Sequence, residues 1–316
     1  MGRSRKPVPD WDYHSDFVIA DEALHRDVVS GMDRAARKQW QEEHAPRWLA
    51  WDARPTKAQR EAIRAVRVRV AHGARARALP SALRDLSSLA YLSMPLSLAS
   101  ALRPGDLPDS LEAIAFDEST GGRASLAPEL VLPKVRSLAS ITGELTFVAS
   151  NVPRLEEISL RLGARPTMLD VLAGCRRLSS VRLDPVHDLA TLEPLVRLPL
   201  RSVAIVGGRL ATLDGIDAFG ALEELLLKNV KKLSKLSALS SLERLSSLEL
   251  QYCGAVEDLR PILAIPRLKE LRIVACSRIR LAEVVEELRA RRWRALSVTG
   301  KRHLYESDGK WIVSTK

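Results

Sequence analysis

Leu222-Glu-Glu-Leu225-Leu-Leu227-Lys-Asn-Val230, Leu245-Ser-Ser-Leu248-Glu-Leu250-Gln-Tyr-Cys253 and Leu268-Lys-Glu-Leu271-Arg-Ile273-Val-Ala-Cys276 carry one pattern three times, each copy starting 23 residues after the last. Positions four and six of the pattern lie two residues apart, so on an extended strand they share one face, while positions three, five and seven share the other. A strand this short buries too little to offset the entropy of ordering it. Stacking against neighbouring copies is what makes such a unit stable, and a recurring period of this length is the sequence signature of a solenoid.

Weaker copies extend the series on both sides. They start at Ile63, Leu89, Leu111, Val135, Leu155, Leu178, Leu200 and Trp293, which with the three clear copies predicts eleven strands. The Val135 copy puts Ser140 where an aliphatic belongs and is irregularly spaced, so its register is open. Between strands a second apolar series, such as Leu213, Ile216 and Phe219 or Val256, Leu259 and Ile262, is spaced by three and predicts short 3₁₀ or α segments. Met168 to Cys175 and Leu281 to Arg292 read as helices. Thr56 can cap a helix running through Ala65, or the first strand begins near Ile63.

The pattern resembles the leucine-rich repeat family, and bacterial members in particular. At a period of 22 to 23 residues the resemblance implies an α/β solenoid, a leucine-rich-repeat horseshoe with one parallel strand per repeat on the concave face. The segment AARKQWQEEHAPRWLAW (35–51) is similar to the helix that precedes the repeats in some bacterial leucine-rich proteins. The expected organisation is an N-terminal arm and Trp-rich helical cap over 1–60, the repeats over 61–300, and a C-terminal β-hairpin cap over 301–316. Asp308-Gly309 between apolar runs supplies the hairpin's turn signal.

Composition narrows the function classes. Net charge is +10, but the repeats are close to neutral and the excess sits at the two ends, where solvated surface is the usual reading and a phosphate-binding patch the rival one. That rival, a nucleic-acid or polyanion binder, would work through Arg289, Arg291, Arg292, Arg294, Lys301 and Arg302. Glu157, Glu224, Glu249 and Glu270 on the strands argue against a nucleic-acid groove. Cys175, Cys253 and Cys276 form no C-x-x-C pair, and Cys253 and Cys276 fill one slot in consecutive repeats, which predicts stacked buried thiols at backbone turns. The start of the chain lacks a signal-peptide apolar region and no apolar run is long enough to span a membrane, so a cytoplasmic, monomeric protein is expected.

No nucleophile–base, zinc, P-loop or dinucleotide motif occurs, and no cofactor or enzymatic activity is expected. Glu42-Glu43-His44 reads as a charged helix face, and Asp184, His187 and Asp188 as a polar turn. The remaining functional surface is the outward strand face. Its position-five ladder runs Ser159, Arg182, Ala204, Leu226, Glu249, Arg272, and its position-seven ladder runs Arg161, Asp184, Val206, Lys228, Gln251, Val274. Leu226 and Val206, with Tyr252 beside them and charges around, suggest an apolar centre with a charged rim, the common build of a protein-binding patch. The candidate partner-binding residues are therefore Arg161, Arg182, Val206, Leu226, Lys228, Glu249, Gln251, Tyr252 and Arg272. The family resemblance likewise implies protein recognition.

Overall fold

The computed structural model describes residues 57–68, 81–116, 122–140, 142–162, 168–187, 189–299, 302–307 and 310–315. The expected N-terminal arm, the Trp-rich helix expected over 33–51 and the Asp308-Gly309 turn lie outside the described residues. Each of the eleven copies read from the leucine spacing carries a strand, beginning two residues after the copy's first position. The chain divides into two compact units, residues 1–159 and 160–316, each with its own leucine spine.

In the first unit, helix α1 (Lys57–Ala62) leads into β1 (Ala65–Arg67), so both alternatives at this point hold in part: the helix stops three residues short of Ala65 and the strand follows at once. Strands β2 (Tyr91–Met94), β3 (Ala113–Phe116) and β5 (Ser137–Ser140) then stack in parallel. Val66 pairs with Leu92, Leu92 with Ile114, and Ile114 with Leu138, so position four of each repeat stands beside position four of the next. All four side chains are essentially inaccessible, which is why the ladder cannot slip by one residue: a slip would turn the whole set to solvent.

The Val135 repeat is thus in register, and its odd residue has a partner. Ser140 is fully buried, and its hydroxyl donates to the Gly143 carbonyl at 2.9 Å. The irregular spacing accommodates a feature the sequence did not show, a second parallel pair formed by β4 (Arg123–Ser125) and β6 (Glu144–Thr146). A side chain at Gly143 would collide with Leu96 and with the Gly122 carbonyl 2.9 Å away, so glycine is required for that close approach. The fully buried Asn151 ties the same region together. Its Oδ1 accepts the Val148 amide at 2.8 Å, and its Nδ2 donates to the carbonyls of Ala127 (2.8 Å) and Leu130 (2.5 Å). Strand β7 (Glu157–Leu162) follows, and the division between the units falls within it.

In the second unit, β8 (Ser180–Val186), β9 (Ser202–Gly207), β10 (Glu224–Lys228), β11 (Ser247–Gln251), β12 (Glu270–Val274) and β13 (Ala295–Thr299) are parallel neighbours in chain order. Leu225, Leu248 and Leu271 stand in one row and Leu227, Leu250 and Ile273 in the next, each 2% exposed or less. The returning halves are short, as the spacing by three predicts: 3₁₀ turns at Ile216–Ala218 and Ser237–Ser241, and helix α3 (Arg260–Leu263) after α2 (Met168–Leu172). The stretch from Leu281 is a 3₁₀ turn, Leu281–Glu283, followed by α4 (Val285–Ala290), rather than one helix. Strands β14 (Arg302–Ser307) and β15 (Lys310–Thr315) pair antiparallel, and β14 pairs antiparallel with β13, giving the expected hairpin strands.

Candidate functional site

In the second unit the position-five ladder from β8 and the position-seven ladder from β9 are aligned as the repeat arithmetic requires. Arg182 pairs with Ala204, Ala204 with Leu226, Leu226 with Glu249, and Glu249 with Arg272. One row over, Val206 pairs with Lys228, Lys228 with Gln251, and Gln251 with Val274. Neighbouring parallel strands lie about 4.8 Å apart, so these rows present contiguous side chains.

Glu249 is the centre of the polar part. Its side chain is only 16% exposed, it accepts a hydrogen bond from the Gln251 amide, and the Arg272 guanidinium stands 3.6 Å away. Arg182 grips Asp184 on its own strand through Nη2 at 2.8 Å and Nε at 3.2 Å. Such half-exposed pairs add little stability, about 0–1 kcal/mol, and serve mainly to fix where the charges stand. Arg161 and Lys228 are half-buried beside them.

Two expectations about the apolar centre need correction. Val206 is only 8% exposed and therefore offers no wet apolar surface. It sits where β8 departs from the ladder: the pairing jumps from Leu183–Ile205 to Val186–Gly207, across the cis Asp184–Pro185 bond. For the same reason Asp184 is not opposite Val206, and the position-seven row is broken at that rung. Leu226 is half-buried, while Tyr252 is 48% exposed. Of these three apolar residues Leu226 and Tyr252 are thus accessible and Val206 is not.

Tyr252 carries a property invisible in the repeat pattern. Position eight of four successive repeats, at Gly207, Asn229, Tyr252 and Ala275, has a positive φ of 89°, 57°, 55° and 54°. At the last three the amide donates to the next rung, Asn229 to Gln251, Tyr252 to Val274 and Ala275 to Thr299, each at 2.8 Å. Glycine and asparagine take the left-handed conformation readily, whereas a residue with an ordinary Cβ does so at a cost of about 1–2 kcal/mol. The only signal in the sequence was that Gly207 and Asn229 share this slot.

Three of the basic residues near the C-terminal end, Arg289, Arg291 and Arg294, are engaged. Arg291 donates to the carbonyls of Leu263 (3.0 Å), Ile265 (2.5 Å) and Leu268 (2.8 Å), and its guanidinium lies 5.0 Å from the centre of the Trp293 ring. Arg289 pairs with Glu286 at 3.1 Å and Arg294 pairs with Glu270. Arg292 is exposed, and Lys301 lies outside the described residues. Among the described residues no group of three or more His, Cys, Asp or Glu side chains could hold a metal ion, and no helix is long and apolar enough to cross a membrane.

No family model matches the sequence, and no curated protein is significantly similar to it. Solved structures do align. An internalin of Listeria monocytogenes matches at 15% identity over 60% of this chain and 69% of its own, with a TM-score of 0.37. The functional domain of another Listeria monocytogenes protein, InlJ, described as including a cysteine ladder, matches at 12% identity over 68% of this chain and 54% of its own, with a TM-score of 0.35. A leucine-rich-repeat protein of Leptospira interrogans matches at 13% identity over 70% of this chain and 64% of its own, with a TM-score of 0.45. For the last two, this chain spans less than two thirds of the matched protein. The chain's own geometry makes the assignment: a 23-residue period, in-register parallel strands, buried leucines at positions four and six, and short returning helices give it the α/β solenoid fold of leucine-rich-repeat proteins.

Proposed function

We propose that this protein is a non-enzymatic interaction module that binds a partner protein through the outward strand face of its second unit. The observation that carries this reading is Tyr252, an exposed large hydrophobic residue of that unit, held in a left-handed turn three residues beyond Glu249 of the Leu226–Glu249–Arg272 row. Protein-binding patches are commonly a small aromatic or aliphatic centre ringed by polar groups. Here Leu226 and Tyr252 form the centre. Glu249, Gln251, Lys228, Arg272, Arg182 and Arg161 supply a rim of both charge signs. A reducing, cytoplasmic setting and a monomeric chain belong to the same reading.

A polyanion partner would need unengaged cations, and Arg289, Arg291 and Arg294 are already held by protein groups. Salt distinguishes the two. Binding to a protein through mixed charges weakens mildly with ionic strength, whereas displacement of phosphate counterions gives a steep decline. The test is capture by the immobilised full chain from 50 to 500 mM salt, about a tenfold range, compared between the native protein and Glu249→Arg. A steep salt dependence, with Glu249→Arg binding more tightly, would overturn the reading.

A further inference from the structure

Cys253 and Cys276 fill the same slot on adjacent rungs, two residues beyond the paired Gln251 and Val274. Neighbouring strands at about 4.8 Å put such residues within the Cα separation a disulfide needs, about 4.4–6.8 Å. The two sulfurs are not equivalent. Cys253 is fully buried, and its Sγ donates to the Leu227 and Gln251 carbonyls at 3.4 and 3.5 Å. Cys276 makes the longer contacts of the pair, 3.7 Å to Leu250 and 3.6 Å to Val274, and its Sγ also accepts the Cys253 amide at 3.4 Å. Its slot also differs, because Cys276 stands in the wall of a cavity of about 340 Å³ lined by Ile273, Ile279, Leu281, Val298 and Arg280. That volume suits a small molecule.

We propose that Cys276 and Cys253 form a peroxide-reactive dithiol, in which Cys276 meets a small hydroperoxide in this cavity and Cys253 resolves the product to a disulfide. In the first step the Cys276 sulfur attacks one peroxide oxygen. The S–O bond forms as the O–O bond breaks, the sulfur is oxidised to the sulfenic acid, and the departing oxygen takes the thiol proton to leave as water or alcohol. In the second step the Cys253 sulfur attacks the Cys276 sulfur. The S–S bond forms, the S–O bond breaks, and hydroxide leaves with the Cys253 proton as water.

Contact with the Cys253 side chain, together with the backbone amides of Cys253 and Tyr252, lowers the Cys276 thiol against the opposing effect of burial. Cys253 is pushed up, by its contact with Cys276 and by burial. Cys175 is an internal reference: it is buried, burial pushes its thiol up to about 11, and no other cysteine lies in its register.

The experiment treats the full native chain with limiting hydrogen peroxide, then maps its peptides by mass spectrometry. The expected product is a Cys253–Cys276 disulfide, formed at least about tenfold faster than oxidation of Cys175. In Cys253→Ser the sulfenic acid should persist at Cys276 and be trapped by dimedone. Oxidation of Cys175 as fast as Cys276 in the native chain would overturn the proposal. So would absence of the disulfide, or a Cys253→Ser protein with native circular dichroism and no adduct on Cys276. The competition within the native chain decides the matter even where the variant fails to fold.

Discussion

The two units carry the same leucine spacing and differ in what they place on it. Position five of β2, β3, β5 and β7 in the first unit holds small residues, Ser93, Ala115, Ala139 and Ser159, after Arg67 on β1, and Ser93, Ala139 and Ser159 are 4%, 7% and 6% exposed. The same position in the second unit holds Arg182, Ala204, Leu226, Glu249 and Arg272, all half-buried or exposed. The second unit has 3₁₀ turns and short helices between its parallel strands, whereas the first adds the β4–β6 pair and a buried asparagine. Identical leucine spacing therefore fixes a stack of strands without fixing what the stack can hold. A surface that grips a partner needs side chains long enough to project from it, and the second unit supplies a run of them at position five, on β8 and from β10 to β12.

The sharpest break in that comparison is at the spine itself. Leu250→Asp would bury an unpaired carboxylate in a row where every neighbour is apolar, at a cost of about 3–5 kcal/mol. The expected result is loss of the cooperative melting transition, and an unchanged melting curve would show that the row faces the other way. Asn151→Ala probes the first unit. It strands the Val148 amide and the Ala127 and Leu130 carbonyls, so thermal stability should fall by about 2–3 kcal/mol while partner capture at low temperature is retained.

Tyr252→Asn should act in opposite directions on stability and binding. Asparagine tolerates the left-handed turn, so the melting temperature should rise by an amount corresponding to about 1 kcal/mol, while removal of the aromatic anchor weakens capture. A variant that melts lower, or binds as well as the native chain, would separate Tyr252 from the site. The smallest effect is expected for Arg182→Ala, whose half-exposed pair with Asp184 is worth about 0–1 kcal/mol by thermal melting.

The legible part of this fold was the part that repeats. Aliphatic residues at positions four and six announced the eleven repeat strands, with the register open at the Val135 copy, because a period of two and a period of 23 residues both leave marks in the sequence. The Cys253 and Cys276 slot was legible for the same reason. What escaped was local and happened once. The β4 and β6 strands are three residues each, too short to show alternation. Asn151 looked like any loop asparagine until three backbone groups converged on it. The register shift in β8 left no trace in the spacing, yet it coincides with the burial of Val206 and so reshaped the candidate site. The engagement of Arg291 by three carbonyls depends on a turn 23 to 28 residues away, which charge counting does not see.

The central claim, that the second unit's strand face is the binding surface, is tested most directly by matched charge insertions in the two units. Leu226→Arg places a cation at the centre of the proposed patch, and Val131→Arg places one at a half-exposed aliphatic of the first unit. Both proteins should keep native circular dichroism and melting. The account predicts that a partner captured by the native chain is lost from Leu226→Arg, by about a hundredfold or more in affinity as for a binding hot spot, and retained by Val131→Arg. Retention by a folded Leu226→Arg protein, or loss from Val131→Arg alone, would contradict it.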